Sequence, residues 1–151
     1  GEDTLYYYLD LFVLDQNAVS EAENDQDTHK TLLANLTAAI KSCEQLLLVL
    51  DSYEKPTPLR RAWCLYEILI SMASSQQMAM CLAPETKGKF VAELSFNFDK
   101  VVGYMSEIDA CKARASVDRD LEGILAAIRK MMPIEDFNSR IRRHMYRTLA
   151  A

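Results

Sequence analysis

A wholly apolar run, followed by a proline-containing loop and an apolar helix, most constrains how this chain can fold. Residues 46–50 read Leu-Leu-Leu-Val-Leu, and the next apolar segment begins at Ala62, beyond Pro56 and Pro58. A strand that is apolar at every position is typical of a parallel sheet covered on both faces. The sequence therefore predicts a buried strand over 46–50, a loop, and a helix over about 59–74.

Glu67 is the one charged residue in the stretch 62–73 of that helix. Acidic side chains are rarely buried without a partner, and open α/β sheets bind ligands beyond the carboxyl ends of their strands. Trp63 shares a helix face with Glu67, and the polar residues Ser52 and Tyr53 follow the strand. Two interpretations stay open. The carboxylate and the indole could bind a sugar and a base, or Glu67 could pair with a basic side chain at the helix flank while Trp63 lies in the core.

Strands and helices alternate along the rest of the chain, as judged by the period of the apolar residues. The elements predicted outside the central region are a strand over 5–14, a helix from about 28 to 44, a strand over 77–82, one helix over 87–106, a helix from Asp118 that ends before Pro133, and a last helix. The helix over 87–106 places Phe90, Leu94, Phe98, Val101, Val102 and Met105 on one face, and the last helix turns Phe137, Ile141, Met145 and Leu149 inward. Residues 108–115 fit either a short extended segment or a helical tail.

The connections between these strands are too long for hairpins, which favours right-handed crossovers and a parallel sheet. We therefore expect a three-layer α/β fold with helices on both faces of the sheet and a helical C-terminal extension. Residues 1–115 are expected to form the α/β domain, and residues 116–151 the extension packed on it. Because the apolar strand over 5–14 suits the interior of a sheet, we expect an earlier strand to be missing and the chain to be an N-terminally truncated fragment.

Charge and cysteine usage disfavour several classes of function. The chain of 151 residues has a net charge of −5, which disfavours a sequence-independent nucleic-acid binder, and no apolar run reaches the ~18 residues that span a bilayer. The four cysteines form no Cys-x-x-Cys pair, so we expect reduced thiols packed as small apolar residues, no metal site, and a cytoplasmic location. A receiver-type phosphoacceptor domain is disfavoured because no lysine directly follows the strand over 77–82. Basic residues gather late in the chain, as either a solvated helix face or a docking surface, at Arg140, Arg142, Arg143, His144 and Arg147.

Three segments of the chain share the pattern of one known family. The segment Trp63-Cys64-Leu65-Tyr66-Glu67 follows an apolar strand with Ser52-Tyr53 at its end, and it resembles the corresponding element of Toll/interleukin-receptor (TIR) domains. The resemblance extends to Leu9-Asp10-Leu11-Phe12 with Gln16-Asn17, and to Ala39-Ile40-Lys41-Ser42-Cys43-Glu44. It covers about residues 5–84. It is closest to the plant type and to the TIR-like domains that accompany tetratricopeptide or kinesin-light-chain-like repeats in algae and protists.

The resemblance implies a flavodoxin-like parallel sheet and a role in intracellular signalling. Several such domains cleave the nicotinamide–ribose bond of NAD, which would make the chain an NAD nucleosidase when self-assembled. Glu67 would then be the key carboxylate, and the substrate contacts would come from Trp63, Ser52, Tyr53 and Asp10. NAD would be the substrate and no further cofactor is expected, while the expected partners are other copies or other TIR-like domains. The alternative is a non-catalytic interaction module that acts by homotypic association.

Overall fold

The computed structural model describes residues 26–149. Its elements, in chain order, are helix α1 (Gln26–Ser42), strand β1 (Gln45–Leu50), a 3₁₀ turn (Pro58–Arg60), α2 (Ala62–Ala73), β2 (Gln77–Leu82), α3 (Pro84–Phe96), α4 (Phe98–Ser106), a second 3₁₀ turn (Ala110–Lys112), α5 (Asp118–Met131) and α6 (Ile134–Leu149). The described residues fall into two compact units with the boundary after Cys43. Helix α1 lies in the first unit and the other elements lie in the second. The strand predicted over 5–14, and with it Asp10, lies outside the described residues. No helix in the described part of the chain is long and apolar enough to cross a membrane.

Helix α1 places its buried side chains on one face. Leu36 and Ile40 are buried at a spacing of four residues, and Leu33 is half-buried one turn earlier. The helix ends where the Cys43 amide donates to the Ile40 carbonyl (3.1 Å). The helix predicted for this region is therefore confirmed, with slightly shifted bounds.

The second unit is built on β1 and β2, which pair in parallel with Leu48 opposite Met80 and Leu50 opposite Leu82. These side chains are buried on one face of the sheet, as paired residues of parallel strands point the same way. Helix α2 packs against β1, while α3 and α6 pack against β2. The two predicted strands and the α/β class with a parallel sheet are confirmed, although the described residues are mostly helical and contain two strands.

Within the second unit, the opposite face of β1 is exposed, and we call it the open face. Leu47 and Val49 are 49% and 63% exposed, and the residues beside them in β2, Ala79 and Cys81, are half-buried. The sequence predicts coverage on both faces, because every residue from 46 to 50 is apolar. In the part of the chain that the structure describes, the strand alternates in burial although it does not alternate in hydropathy.

The start of α2 is fixed by the loop before it. Pro58 begins the first 3₁₀ turn, since the pyrrolidine ring pre-sets the φ angle of a first helical residue. Arg61 is then extended and pairs with Arg114 in an isolated parallel bridge. The Ala62 amide donates to the Arg114 carbonyl (2.9 Å), and the Arg114 amide donates to the Arg60 carbonyl (2.8 Å). These two bonds tie the first turn of α2 to the segment that precedes α5.

Helix α2 buries side chains around most of its circumference. Ala62, Leu65 and Leu69 are buried, whereas Ala73 at the end of the helix is exposed. Ile68, between these positions, is fully buried as well. The reason is that α2 packs against α5 as well as β1, and a helix with two neighbours buries a wider face than an amphipathic helix with one.

The single helix predicted over 87–106 is wrong, because two helices meet at Asn97. Asn97 has φ −138° and ψ 52°, outside the helical region, and its carbonyl accepts the amides of Lys100 (3.0 Å) and Val101 (3.3 Å) in α4. Phe98 and Val102 are consequently 52% and 40% exposed rather than buried. The predicted apolar face does not continue past Asn97, because the break rotates the side chains of α4 relative to those of α3.

Helix α6 closes the core and holds the segment that the sequence leaves ambiguous. Its predicted inward residues are all buried, namely Phe137, Ile141, Met145 and Leu149. Residues 108–115 form a 3₁₀ turn followed by extended backbone. Asn138 is 1% exposed; its side-chain oxygen accepts the Ala110 amide (2.9 Å), and its side-chain nitrogen donates to Asp109 (3.2 Å). One buried amide side chain therefore fixes this turn to α6.

Candidate functional site

The polar residues at the end of β1 are used by the turn that follows. The Ser52 hydroxyl accepts the amides of Glu54 (3.1 Å) and Lys55 (3.3 Å). The Asp51 carboxylate accepts the amide (2.8 Å) and the hydroxyl (2.5 Å) of Thr57. Although partial burial acts to raise it, the pKa of Asp51 is lowered by these hydrogen bonds, which favour the charged form. Ser52, a predicted substrate contact, thus stabilises the turn.

Tyr53, the second predicted contact at this strand end, is buried. Its ring lies edge-on to Phe90 (5.3 Å between centroids) and to Tyr104 (6.2 Å). Its hydroxyl donates to Glu93 Oε2 (2.7 Å), while Lys100 Nζ donates to Glu93 Oε1 (2.6 Å). This network joins the turn after β1 to both α3 and α4.

The network shifts the pKa values of its members. The hydrogen bond to Glu93, together with burial and the carboxylate charge, raises the pKa of Tyr53 to about 12. Hydrogen bonds from Lys100 and Tyr53 lower the pKa of Glu93, and the bond to Glu93 raises the pKa of Lys100. Tyr53 therefore stays neutral at physiological pH and does not serve as a proton acceptor there.

Tyrosinate absorbance can be titrated in the wild type and in Tyr53→Phe, and the difference between the two curves reports Tyr53 alone. We expect this difference curve to have its midpoint at pH about 12 rather than at 10.0. The unfolded chain loses this proton at about pH 10 while the folded chain keeps it, so stability falls as the pH rises from about 10 to about 12. Glu93→Gln removes the carboxylate and should return the midpoint towards its ordinary value. A wild-type difference curve already centred at that ordinary value would contradict the network.

Trp63 and Glu67 lie one turn apart on α2, as predicted, and both are half-buried. The Trp63 indole N–H donates to Asp120 Oδ2 (3.2 Å) in the first turn of α5, and the indole ring lies edge-on to Tyr66 (6.3 Å between centroids). The structure therefore places Trp63 in the contact between α2 and α5. Ser52 and Tyr53, the two predicted contacts at the strand end, lie instead in the turn after β1. Tyr53 joins this turn to α3 and α4.

A cleft of about 210 Å³ lies beyond the carboxyl end of β1, where the loop after β1 meets the two 3₁₀ turns and the end of α4. Its charged lining has both signs, and includes Lys55, Arg60, Lys112, Glu54 and Glu107. Pockets for drug-sized ligands usually measure about 300–1,000 Å³, so this cleft suits a small polar group rather than a whole dinucleotide. Sequence reasoning predicted a site at this end of the strand, but missed these residues because four separate segments bring them together.

Among residues 26–149, no group of three histidine, cysteine, aspartate or glutamate side chains could hold a metal ion. All four cysteines are free thiols. Cys43, Cys64 and Cys81 are half-buried, in keeping with the packing role predicted for them, whereas Cys111 is exposed.

Comparison with models of known families, with curated proteins and with solved structures finds no match to this chain. The TIR resemblance therefore depends on the sequence elements quoted above, of which the segment from Trp63 to Glu67 lies on α2. At the end of β1, the side chains of Ser52 and Tyr53 are held by hydrogen bonds within the protein. A small cleft lined by side chains of both charges lies beside them.

Proposed function

We propose that the chain is a TIR-like domain with a flavodoxin-like, three-layer α/β fold, and that it acts as a protein-interaction module in cytoplasmic signalling. The observation that supports this proposal is the open apolar face of β1 at Leu47 and Val49. A second copy of the chain covers this face, so that the domain signals by homotypic association. The four free thiols fit a reducing compartment.

The chemistry of the open face suits a second copy. The exposed residues around Leu47 and Val49 include Gln45 and Gln77, which carry no charge. Two copies of a chain with a net charge of −5 repel each other, and Gln45, Leu47, Val49 and Gln77 add no charge to this repulsion. A twofold dimer would place the patch around Leu47 and Val49 against the same patch of its partner, since such an interface is self-complementary. Burial of this surface would contribute about 25 cal/mol per Å² of apolar area.

The residues predicted to contact NAD favour an interaction module over an enzyme. Ser52 accepts two amides of its own turn, Tyr53 donates to Glu93, and Trp63 donates to Asp120. A substrate would have to break these bonds or share them. Their present partners are sufficient to explain why polar groups stand at the end of β1 and on α2.

We expect the wild-type mass, measured by light scattering across a concentration series, to rise from monomer towards dimer, and Val49→Asp to weaken this association by at least about tenfold. The substitution would place one carboxylate from each copy in the apolar contact, where burial of a charge is unfavourable. Met131→Asp, at a residue of α5 that is 47% exposed, is the matched control and should leave association unchanged. A wild-type protein that stays monomeric throughout, or equal weakening by both variants, would overturn the proposal.

A second candidate function, cleavage of the nicotinamide–ribose bond of NAD, is favoured by one observation. Glu67 is a half-buried carboxylate on an otherwise apolar helix, one turn from the indole of Trp63. Nicotinamide is a good leaving group, so the step needs no general acid. It needs a negative charge that stabilises the ribosyl oxocarbenium ion before water adds to it.

If the chain cleaves NAD, nicotinamide release by the concentrated protein is expected to fall at least about hundredfold in Glu67→Ala, because the charge that stabilises the cation is lost. Glu122→Ala, which removes an exposed carboxylate on α5, serves as the control and should leave the rate unchanged. Equal rates for Glu67→Ala and the wild type would rule out this activity for Glu67 without affecting the interaction proposal.

A further inference from the structure

A groove of about 440 Å³ runs between α4 and α6, and none of its lining residues belongs to β1. Its floor is apolar and consists of Val102, Met105 and Tyr146. Phe98, which is 52% exposed, lengthens the floor through an edge contact with Tyr146 (6.3 Å between centroids). A shallow apolar groove between two helices is the shape into which a third helix packs.

Three arginines of α6 stand along this groove, in a chain whose net charge is −5. Arg142 is occupied, since it donates to Glu135 (2.9 Å) and to the Ile108 carbonyl (3.0 Å). Arg143 and Arg147 are exposed and lie four residues apart, and neither forms an ion pair within residues 26–149. Their two guanidinium groups are therefore available to a ligand.

We propose that this groove binds an amphipathic helix of a partner protein, whose apolar stripe covers the floor and whose carboxylates pair with Arg143 and Arg147. Charge complementarity supports this occupant. Carboxylates one turn apart on the partner helix match two arginines one turn apart on α6, and each arginine can bind a carboxylate through two parallel hydrogen bonds. An apolar floor between the cations also suits a folded helix better than a hydrated polyanion such as nucleic acid.

The test uses the whole chain and two labelled helical peptides that share one leucine stripe, with glutamates flanking the stripe in one peptide and lysines in the other. Fluorescence anisotropy is expected to show saturable binding of the glutamate peptide, and none of the lysine peptide. Arg143→Glu combined with Arg147→Glu should weaken binding of the glutamate peptide by at least about tenfold and allow the lysine peptide to bind. Val102→Asp, at the 40% exposed floor residue, should weaken it as well.

Arg140→Glu is the matched control, because Arg140 is an exposed arginine of the same helix that does not line the groove. It should change the affinity by less than about twofold. The proposal is overturned if the glutamate peptide fails to bind at about 1 mM, or if Arg140→Glu weakens binding as much as the double variant. It is also overturned if anionic vesicles or duplex DNA bind more tightly than the peptide and depend on the same two arginines.

Discussion

Leu48→Asp is expected to lower the free energy of unfolding by at least about 4 kcal/mol, a large share of the 5–15 kcal/mol that stabilises a typical domain. Leu48 is 5% exposed and packs with Leu50, Met80 and Leu82 on the covered face of the sheet. These neighbours offer no cation or hydrogen-bond donor to an introduced carboxylate. The variant also loses about 1.5–3 kcal/mol from burial of the leucine side chain.

Val49→Asp is the matched comparison, because it makes the same change one residue further along the same strand. Val49 is 63% exposed, so its replacement should alter the free energy of unfolding by less than about 1 kcal/mol. Denaturant titration at low protein concentration, followed by the fluorescence of the single tryptophan, Trp63, measures both variants. Equal destabilisation by the two substitutions would show that both faces of β1 are covered.

Asn138→Asp is expected to lower the free energy of unfolding by about 3–5 kcal/mol at neutral pH. The side-chain nitrogen of Asn138 donates to Asp109 (3.2 Å) at a site that is 1% exposed. The substitution replaces that donor with a second carboxylate, which faces the carboxylate of Asp109 from a buried position. The oxygen that accepts the Ala110 amide is kept in the aspartate, so the cost comes from the two facing carboxylates.

This effect should depend on pH in a known direction. Burial and the neighbouring charge of Asp109 raise the folded-state pKa of the introduced carboxyl above its unfolded value of about 3.9. The folded state then binds the extra proton, so the variant loses stability as the pH rises from about 4 towards neutrality. Asn138→Ala, which leaves the Ala110 amide without its acceptor, should cost about 1–3 kcal/mol with no such pH dependence. Chemical denaturation at several pH values separates the two, and a pH-independent cost for Asn138→Asp would contradict the assigned contact.

The sequence could predict part of the candidate site and not the rest. A spacing of four residues places Trp63 and Glu67 on one face of any α-helix, so their proximity follows from the chain itself. The hydrogen bond from Trp63 to Asp120 joins residues 57 positions apart, and that from Tyr53 to Glu93 joins residues 40 positions apart. Such contacts depend on how α2, α3 and α5 pack, which no local pattern specifies.

Apart from the break at Asn97 and the 3₁₀ turn at Ala110, the sequence by itself determined the order of strands and helices in the second unit, because apolar period and proline position act locally. Pro58 begins the turn before α2, and Pro133 separates α5 from α6. Only the tertiary structure decided which apolar residues are covered. Leu48 and Val49 have similar hydropathy, yet one is buried and the other exposed, since burial depends on which neighbouring elements lie on each face of the sheet.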